Sequence, residues 1–152
     1  MITLLDLKEA AIRRAVLDLQ QAAYPHEAKL LGRETLPPMT ETEDTLAGSG
    51  ETVMGLYHRG RLAALAGWTL ENRVLELCRV AVHPDFFRRG YASRLLEAAE
   101  AAARAGGAVG MSVSTGRDNL PAAALYERHG FALKDRFLVD GDLAMVRLYK
   151  TL

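Results

Sequence analysis

The chain has 152 residues, 49% of them hydrophobic, and its 19 Lys and Arg balance its 19 Asp and Glu. That length fits a single domain over residues 1–152 with one sizeable core, and the balanced charge gives no global pull toward nucleic acid or an anionic membrane. Cys78 is the only cysteine, which excludes an intramolecular disulfide; with no signal-like start and no apolar run of bilayer length, the chain reads as cytoplasmic.

Ile2 to Leu5 reads as a first strand. From Leu7 to about Leu31 the apolar positions Ile12, Val16, Leu19 and Ala23 recur at helical spacing. Pro25 lacks an N–H and crowds the preceding turn, which predicts two helical pieces or a kink near Tyr24. Arg33 to Thr40, with Pro37-Pro38, reads as a loop, and Thr40 to Ala47 as a short acidic helix capped by Thr40 or Thr42. Thr52 to His58 and Leu62 to Thr69 form a hairpin about Arg59-Gly60, and Val74 to Val82 follows a polar turn at Glu71-Asn72-Arg73. Strands joined by such tight turns make an antiparallel meander.

Tyr91 to Arg104 sets Leu95, Leu96, Ala99, Ala102 and Ala103 on one helical face, and Gly106-Gly107 ends that helix. Val109 to Thr115 reads as a strand and Pro121 to His129 as a helix starting at Asp118 or Asn119. Phe131 to Val139 and Leu143 to Lys150 make a closing pair of strands about Asp140-Gly141. This order predicts an α/β domain with a central, mixed but mostly antiparallel sheet flanked by helices.

Within Val74 to Val82 the apolar phase changes: Leu75 and Leu77 share one face, whereas Val80 and Val82 fall on the other. A central strand buried on both sides shows this pattern. So does a β-bulge at Cys78 and Arg79, which resets the alternation and splays the strand from its neighbour. A splayed strand leaves backbone groups that an extended, amide-bearing ligand would satisfy. The basic loop that follows ends at Gly90 and opens a helix, delivering several backbone N–H groups to one point at the helix's positive end, which suits a pyrophosphate.

The segment HPDFFRRGYASRLL, followed by NLPAAALYERHGF, resembles the Gcn5-related N-acetyltransferase (GNAT) superfamily over nearly the whole chain. Two motifs in the right order and separation are more specific than either alone. The family's first motif has the form Gln/Arg-x-x-Gly-x-Gly/Ala, and its backbone amides hold the pyrophosphate of acetyl-CoA. Gly90 and Ala92 take the two small positions, with Arg88, Arg89, Tyr91 and Ser93 around them. Phe87 stands where the family usually has Arg or Gln, and Arg88-Arg89 supply a shifted basic pair.

The resemblance further assigns Val80, Ala81 and Val82 to backbone contacts with pantetheine, and gives an N–H near Val80 the role of stabilising the thioester's developing oxyanion. Asn119 matches the family's cofactor-contacting Asn, although Asn beside Pro121 is equally a helix N-cap. Tyr126 lies two helical turns onward, on about the same face. It matches the Tyr near the thioester sulfur, with core packing as its alternative role.

The implied reaction is transfer of an acetyl group from acetyl-CoA to a primary amine of a small molecule or a protein N-terminus, by direct attack on the thioester. Tyr126, with an unperturbed pKa of about 10, is suited to protonate the departing thiolate. Glu76 matches the catalytic Glu of the family's histone-acetylating branch and is the candidate base. Its ordinary pKa of about 4.3 makes it a weak one unless burial or a water chain assists. Orienting a cationic substrate, or pairing with Arg79, are its alternatives.

Cys78 reads as buried packing, and His26, His58, His83 and His129 as surface or turn residues. No clustered spacing of His, Cys and carboxylates points to a metal. Tyr24, His26, Glu27, Arg33 and Pro37-Pro38 are expected to shape the acceptor pocket. Glu27, Glu41, Glu43 and Asp44 would favour cationic acceptors there. The superfamily often forms homodimers, so a second copy is an expected partner. A rival reading is a noncatalytic acyl-CoA-binding or regulatory module that kept the cofactor site and lost turnover, for which Phe87 is the suggestive feature.

Overall fold

The computed structural model describes residues 1–152. Strands β1 (Ile2–Leu4), β2 (Thr52–His58), β3 (Arg61–Glu71), β4 (Val74–Val82), β5 (Gly110–Gly116), β6 (Ala132–Val139) and β7 (Leu143–Thr151) form one sheet in the order β1-β2-β3-β4-β5-β7-β6. Only β4 and β5 run parallel. The helices are α1 (Ala10–Leu30), α2 (Glu43–Ala47), α3 (Tyr91–Ala105) and α4 (Leu120–Arg128), with 3-10 turns at Pro37–Met39 and Pro84–Phe86.

Both faces of the sheet are covered. On one, Leu95, Leu96 and Ala99 of α3 and Tyr126 of α4 bury Leu75, Leu77, Met111 and Val113. On the other, Val16, Leu19, Tyr24 and Ala28 of α1, with Leu46 of α2, bury Val53, Leu65 and Ala81. The α/β architecture read from the sequence is therefore present, with its boundaries displaced by at most three residues.

Pro25 is the exception: α1 runs unbroken through it, as one helix and not two pieces. A proline inside a helix costs about 3 kcal/mol. Burial of Val16, Leu19 and Tyr24 against the sheet contributes about 1.5–3 kcal/mol for each large side chain. Packing exceeds the local penalty.

The phase change in β4 is a bulge. Gly67 of β3 faces Arg79 while the next residue, Trp68, faces Leu77, so Cys78 is the extra residue. Pairing of β4 with β5 stops at Leu77 opposite Val113, and beyond that point the two strands part. The His83 N–H donates to the Ala63 carbonyl at 2.8 Å. Antiparallel hydrogen-bonded pairs alternate, so Ala81 opposite Leu65 and Arg79 opposite Gly67 belong to the same class. The N–H and C=O groups of Val80 and Val82 consequently point away from β3, into the gap that β5 has left.

Candidate functional site

A cavity of about 270 Å³ occupies the fork between β4 and β5. Leu77 to Val80 and Val113 to Gly116 form its floor, and Asn119, Ala122 and Tyr126 of α4 form one wall. Tyr24, Glu27 and Leu31 of α1, with Leu36, Pro37 and Pro38, form the opposite wall, and Val139, Leu143 and Met145 close the far side. Gly116 admits this closure, because a Cβ there would collide with the Leu31 side chain.

Asn119 and Tyr126 are 7% and 6% exposed. The Asn119 Oδ1 accepts the Ala122 N–H at 3.3 Å, so this residue caps α4 and lines the cleft at once. The Tyr126 ring stands edge-on to Phe131, with centroids 5.9 Å apart. Burial, then the nearby Glu27 carboxylate, pushes its hydroxyl well above the usual tyrosine range. Tyr24 moves the same way, by burial and then by Glu27 and Tyr126, while Arg79 and the Val80 backbone partly offset the rise. Burial also raises Glu27, and the Asn119 side chain moderates that rise. Two protonated tyrosines and one carboxylate thus share the cleft.

The turn after β4 builds the second feature. Phe86 is buried, with the guanidinium carbons of Arg61 and Arg89 at 5.0 and 5.5 Å from its ring centroid. Arg88 (φ 64°) and Gly90 (φ 75°) both adopt left-handed backbone, and Gly90 caps α3 without a side-chain hydrogen bond. The first bond inside the helix runs from the Arg94 N–H to the Gly90 carbonyl, so the N–H groups of Tyr91, Ala92 and Ser93 have no partner within it. The His58 Nδ1 lies 2.8 Å from the Tyr91 hydroxyl, and the His129 Nε2 lies 3.0 Å from the Ser93 Oγ. These histidines hold the start of α3 in place.

Beneath the bulge lies a buried ionic cluster. Arg79, its side chain 8% exposed, donates to Glu51 at 2.6 and 2.9 Å, to Glu41 at 2.5 and 3.2 Å, and to the Gln20 Oε1 at 2.7 Å. The Gln20 amide donates onward to Glu41 and to the Pro38 carbonyl, both at 3.0 Å. A Cβ on Gly67 would sit 2.6 Å from Glu51 and 2.9 Å from the Arg79 stem, so only glycine lets this cluster cross β3. Burial alone would raise the Glu41 carboxyl, but the Arg79 and Gln20 hydrogen bonds and the Arg79 charge leave it below the usual range. Because that value is lowered, the stabilisation is present at neutral pH and is lost as acid takes the pH down through it.

Removing the cation strands two carboxylates. Arg79→Met is expected to lower the unfolding free energy by about 3–5 kcal/mol in urea titrations at neutral pH. Replacing Glu41 and Glu51 by Leu in that variant should restore most of the loss. A wild-type midpoint for Arg79→Met alone would contradict the assignment.

Several expectations change. Glu76 is exposed and does not line the cleft, and Arg79 pairs with Glu41 and Glu51 instead of Glu76. Cys78 and Arg79, at the bulge, line the cavity, whereas Glu76 lies before it, opposite Ser112, where β4 and β5 are still joined. Cys78 is exposed and lines the cleft instead of packing in the core. Burial and then Glu51 raise its thiol, which favours the protonated, weakly nucleophilic form. Ala81 is 4% exposed within the α1 layer, and its backbone belongs to the β3 ladder, so only Val80 and Val82 of the trio present backbone to the fork.

Glu41 belongs to the buried cluster, Glu43 pairs with Arg13, and neither lines the cavity. Arg33 does not line it either; it pairs with Asp142 at 2.6 Å and ties the end of α1 to the β6–β7 turn. His26 contacts Phe87 with ring centroids 5.2 Å apart. Gln20, Glu51, Ser114 and Met145 were absent from the sequence-based candidates. Gln20 left a signal, as a polar residue on the buried stripe of α1 beside Val16, Leu19 and Ala23.

Residues 13–131 match the Acetyltransferase (GNAT) family. The UPF0157 protein YqkA of Bacillus subtilis (strain 168) is 33% identical over 135 residues, which cover 86% of this chain and 38% of that relative. The chain therefore spans well under half the length of the curated relative it matches. The PaiA N-acetyltransferase of Thermoplasma acidophilum, solved in complex with coenzyme A, superposes with a TM-score of 0.83 at 14% identity, covering 100% of this chain and 98% of its own. The ribosomal-protein-S18-alanine N-acetyltransferase of Escherichia coli gives 0.78 at 23% identity, covering 99% and 94%.

Proposed function

The chain belongs to the GNAT acetyltransferase family, and from that premise we propose that residues 1–152 form a cytoplasmic N-acetyltransferase acting on a primary amine of a small molecule or a protein N-terminus. The observation that carries this reading is the fork: backbone at Val80 and Val82 that neither β3 nor β5 uses leads from the open N-terminus of α3 to a cavity lined by Tyr126 and Asn119. An extended ligand with a pyrophosphate at one end and amides along its length satisfies both sets of groups. Acetyl-CoA has that form, and when bound it supplies an activated thioester.

Backbone N–H groups of Gly90 to Ser93, with Arg88 and Arg89 beside them, would hold the pyrophosphate, and Val80 and Val82 the pantetheine amides. The Val80 N–H would donate to the thioester oxygen as negative charge develops there. Tyr126 would serve the departing sulfur. Its raised pKa makes complete proton transfer to the departing thiolate uphill. Donating a hydrogen bond while the C–S bond lengthens is the role its position supports.

The Phe87 departure has a structural counterpart in its contact with His26 on α1, which joins the loop to the acceptor-side helix. Assays of thiol release from acetyl-CoA against a panel of amines, alongside calorimetry with acetyl-CoA, test the function. Saturable, amine-dependent release is expected. Binding without transfer to any amine would leave the noncatalytic module as the reading.

A further inference from the structure

The acceptor side of the cleft has an uneven chemistry. Its outer walls are aliphatic: Leu31, Pro37 and Pro38 on one side, Val139, Leu143 and Met145 on the other. Glu27 is the only carboxylate among the lining residues and Arg79 the only cation. Arg79 is consumed by Glu41, Glu51 and Gln20. Glu27 has no ion-pair partner. A partly buried carboxylate with the Asn119 amide beside it but no cation, set against an otherwise apolar wall, calls for a cation brought by the ligand.

Building on the acetyltransferase reading, we propose that the acceptor is a small primary amine with one compact apolar body, whose ammonium pairs with Glu27 and gives that carboxylate its proton. The apolar walls take the body. A second cation at the far end of the acceptor would be buried against aliphatic side chains without a partner, which disfavours a polyamine. Size sets the other limit. A cavity on the order of 150 Å³ holds benzene, so about 270 Å³ accommodates a body of that scale together with the acetyl tip.

The proton and electron balance closes. Glu27 accepts one proton from R–NH3⁺ and passes it to solvent. The freed nitrogen lone pair forms the C–N bond to the thioester carbon, and the C–S electron pair leaves with sulfur. The second nitrogen proton goes to the CoA thiolate, giving amide, CoA thiol and one released proton. The titratable and polar groups that share the cavity with Glu27 are Tyr24 on its own helix, Asn119 and Tyr126 on α4, Cys78 and Arg79 on β4, and Ser114 and Thr115 on β5. Burial raises Glu27, which narrows its gap to an ammonium and makes it a better base than a solvated carboxylate.

The test compares acetylation of phenethylamine and isoamylamine with that of spermidine and of a short peptide bearing a free N-terminus, using wild type and Glu27→Gln. The apolar monoamines should show kcat/KM at least about tenfold above the other two. Glu27→Gln should lower their kcat/KM about 10²-fold and remove the acidic limb of the pH profile. That limb lies above the ordinary carboxylate range, with rate lost as pH falls through it. Calorimetry should give an unchanged acetyl-CoA affinity and a melt should show a folded variant. Preference for spermidine or the peptide, or an intact acidic limb in Glu27→Gln, would overturn this proposal while leaving the acetyltransferase function standing. Acetyl-CoA binding with no transfer to any amine would remove both.

Discussion

Tyr126→Phe is expected to lower kcat by about 10²-fold and to leave the Kd for acetyl-CoA near its wild-type value. The hydroxyl borders the fork, and the ring is held by Phe131 and the core, so the substitution deletes one oxygen without a cavity. What is lost is a hydrogen bond that strengthens only as sulfur acquires charge, so the effect belongs to turnover and not to ground-state binding. Tyr24→Phe is the matched control. Tyr24 lines the same cleft but lies in the α1 layer. Stopped assays of thiol release, with calorimetry on each variant, read both quantities. Equal turnover of Tyr126→Phe and wild type would remove Tyr126 from the reaction, and a larger loss in Tyr24→Phe would move the role to α1.

Gly90→Glu is expected to abolish measurable coenzyme A binding. A Cβ at Gly90 meets nothing within 4 Å, so the fold has room for the side chain. The left-handed backbone there costs an L-residue about 1–2 kcal/mol. The added charge matters more. Two like charges about 4 Å apart at an effective dielectric of about 20 repel by about 4 kcal/mol, a factor on the order of 10³ in affinity. Gly90→Ala separates the two effects, because it carries the strain without the charge and should weaken binding by about 5- to 30-fold. Calorimetry with coenzyme A decides the matter, and wild-type heats from Gly90→Glu would detach the start of α3 from the cofactor site.

Much of the site was legible in the chain because its signals are local. The basic loop before Gly90, the Asn119 to Tyr126 spacing and the slipped phase around Cys78 each act within one element or one turn. The slip proved to be the bulge that opens the fork. Glu76 lies before the bulge, where β4 still pairs with β5 opposite Ser112, and alternation within one strand carries no information on where its neighbour departs. The penalty of Pro25 is local, whereas the burial of α1 that offsets it is not, so the helix is not divided there.

Periodicities of 2 and 3.6 residues, with turn glycines and N-caps, were enough to order the strands and helices, since each acts over a few neighbouring residues. The electrostatic plan of the cleft required the folded chain. Gln20 and Arg79 meet across 59 residues of sequence, and Arg33 and Asp142 across 109. Which acids are neutralised by Arg79, and which is left facing the fork without a cation, depends on distances of a few ångströms between α1, β4 and the segments before α2 and β2 that carry Glu41 and Glu51. Coulombic and desolvation energies depend on those separations and on burial, and neither is a property of residue order.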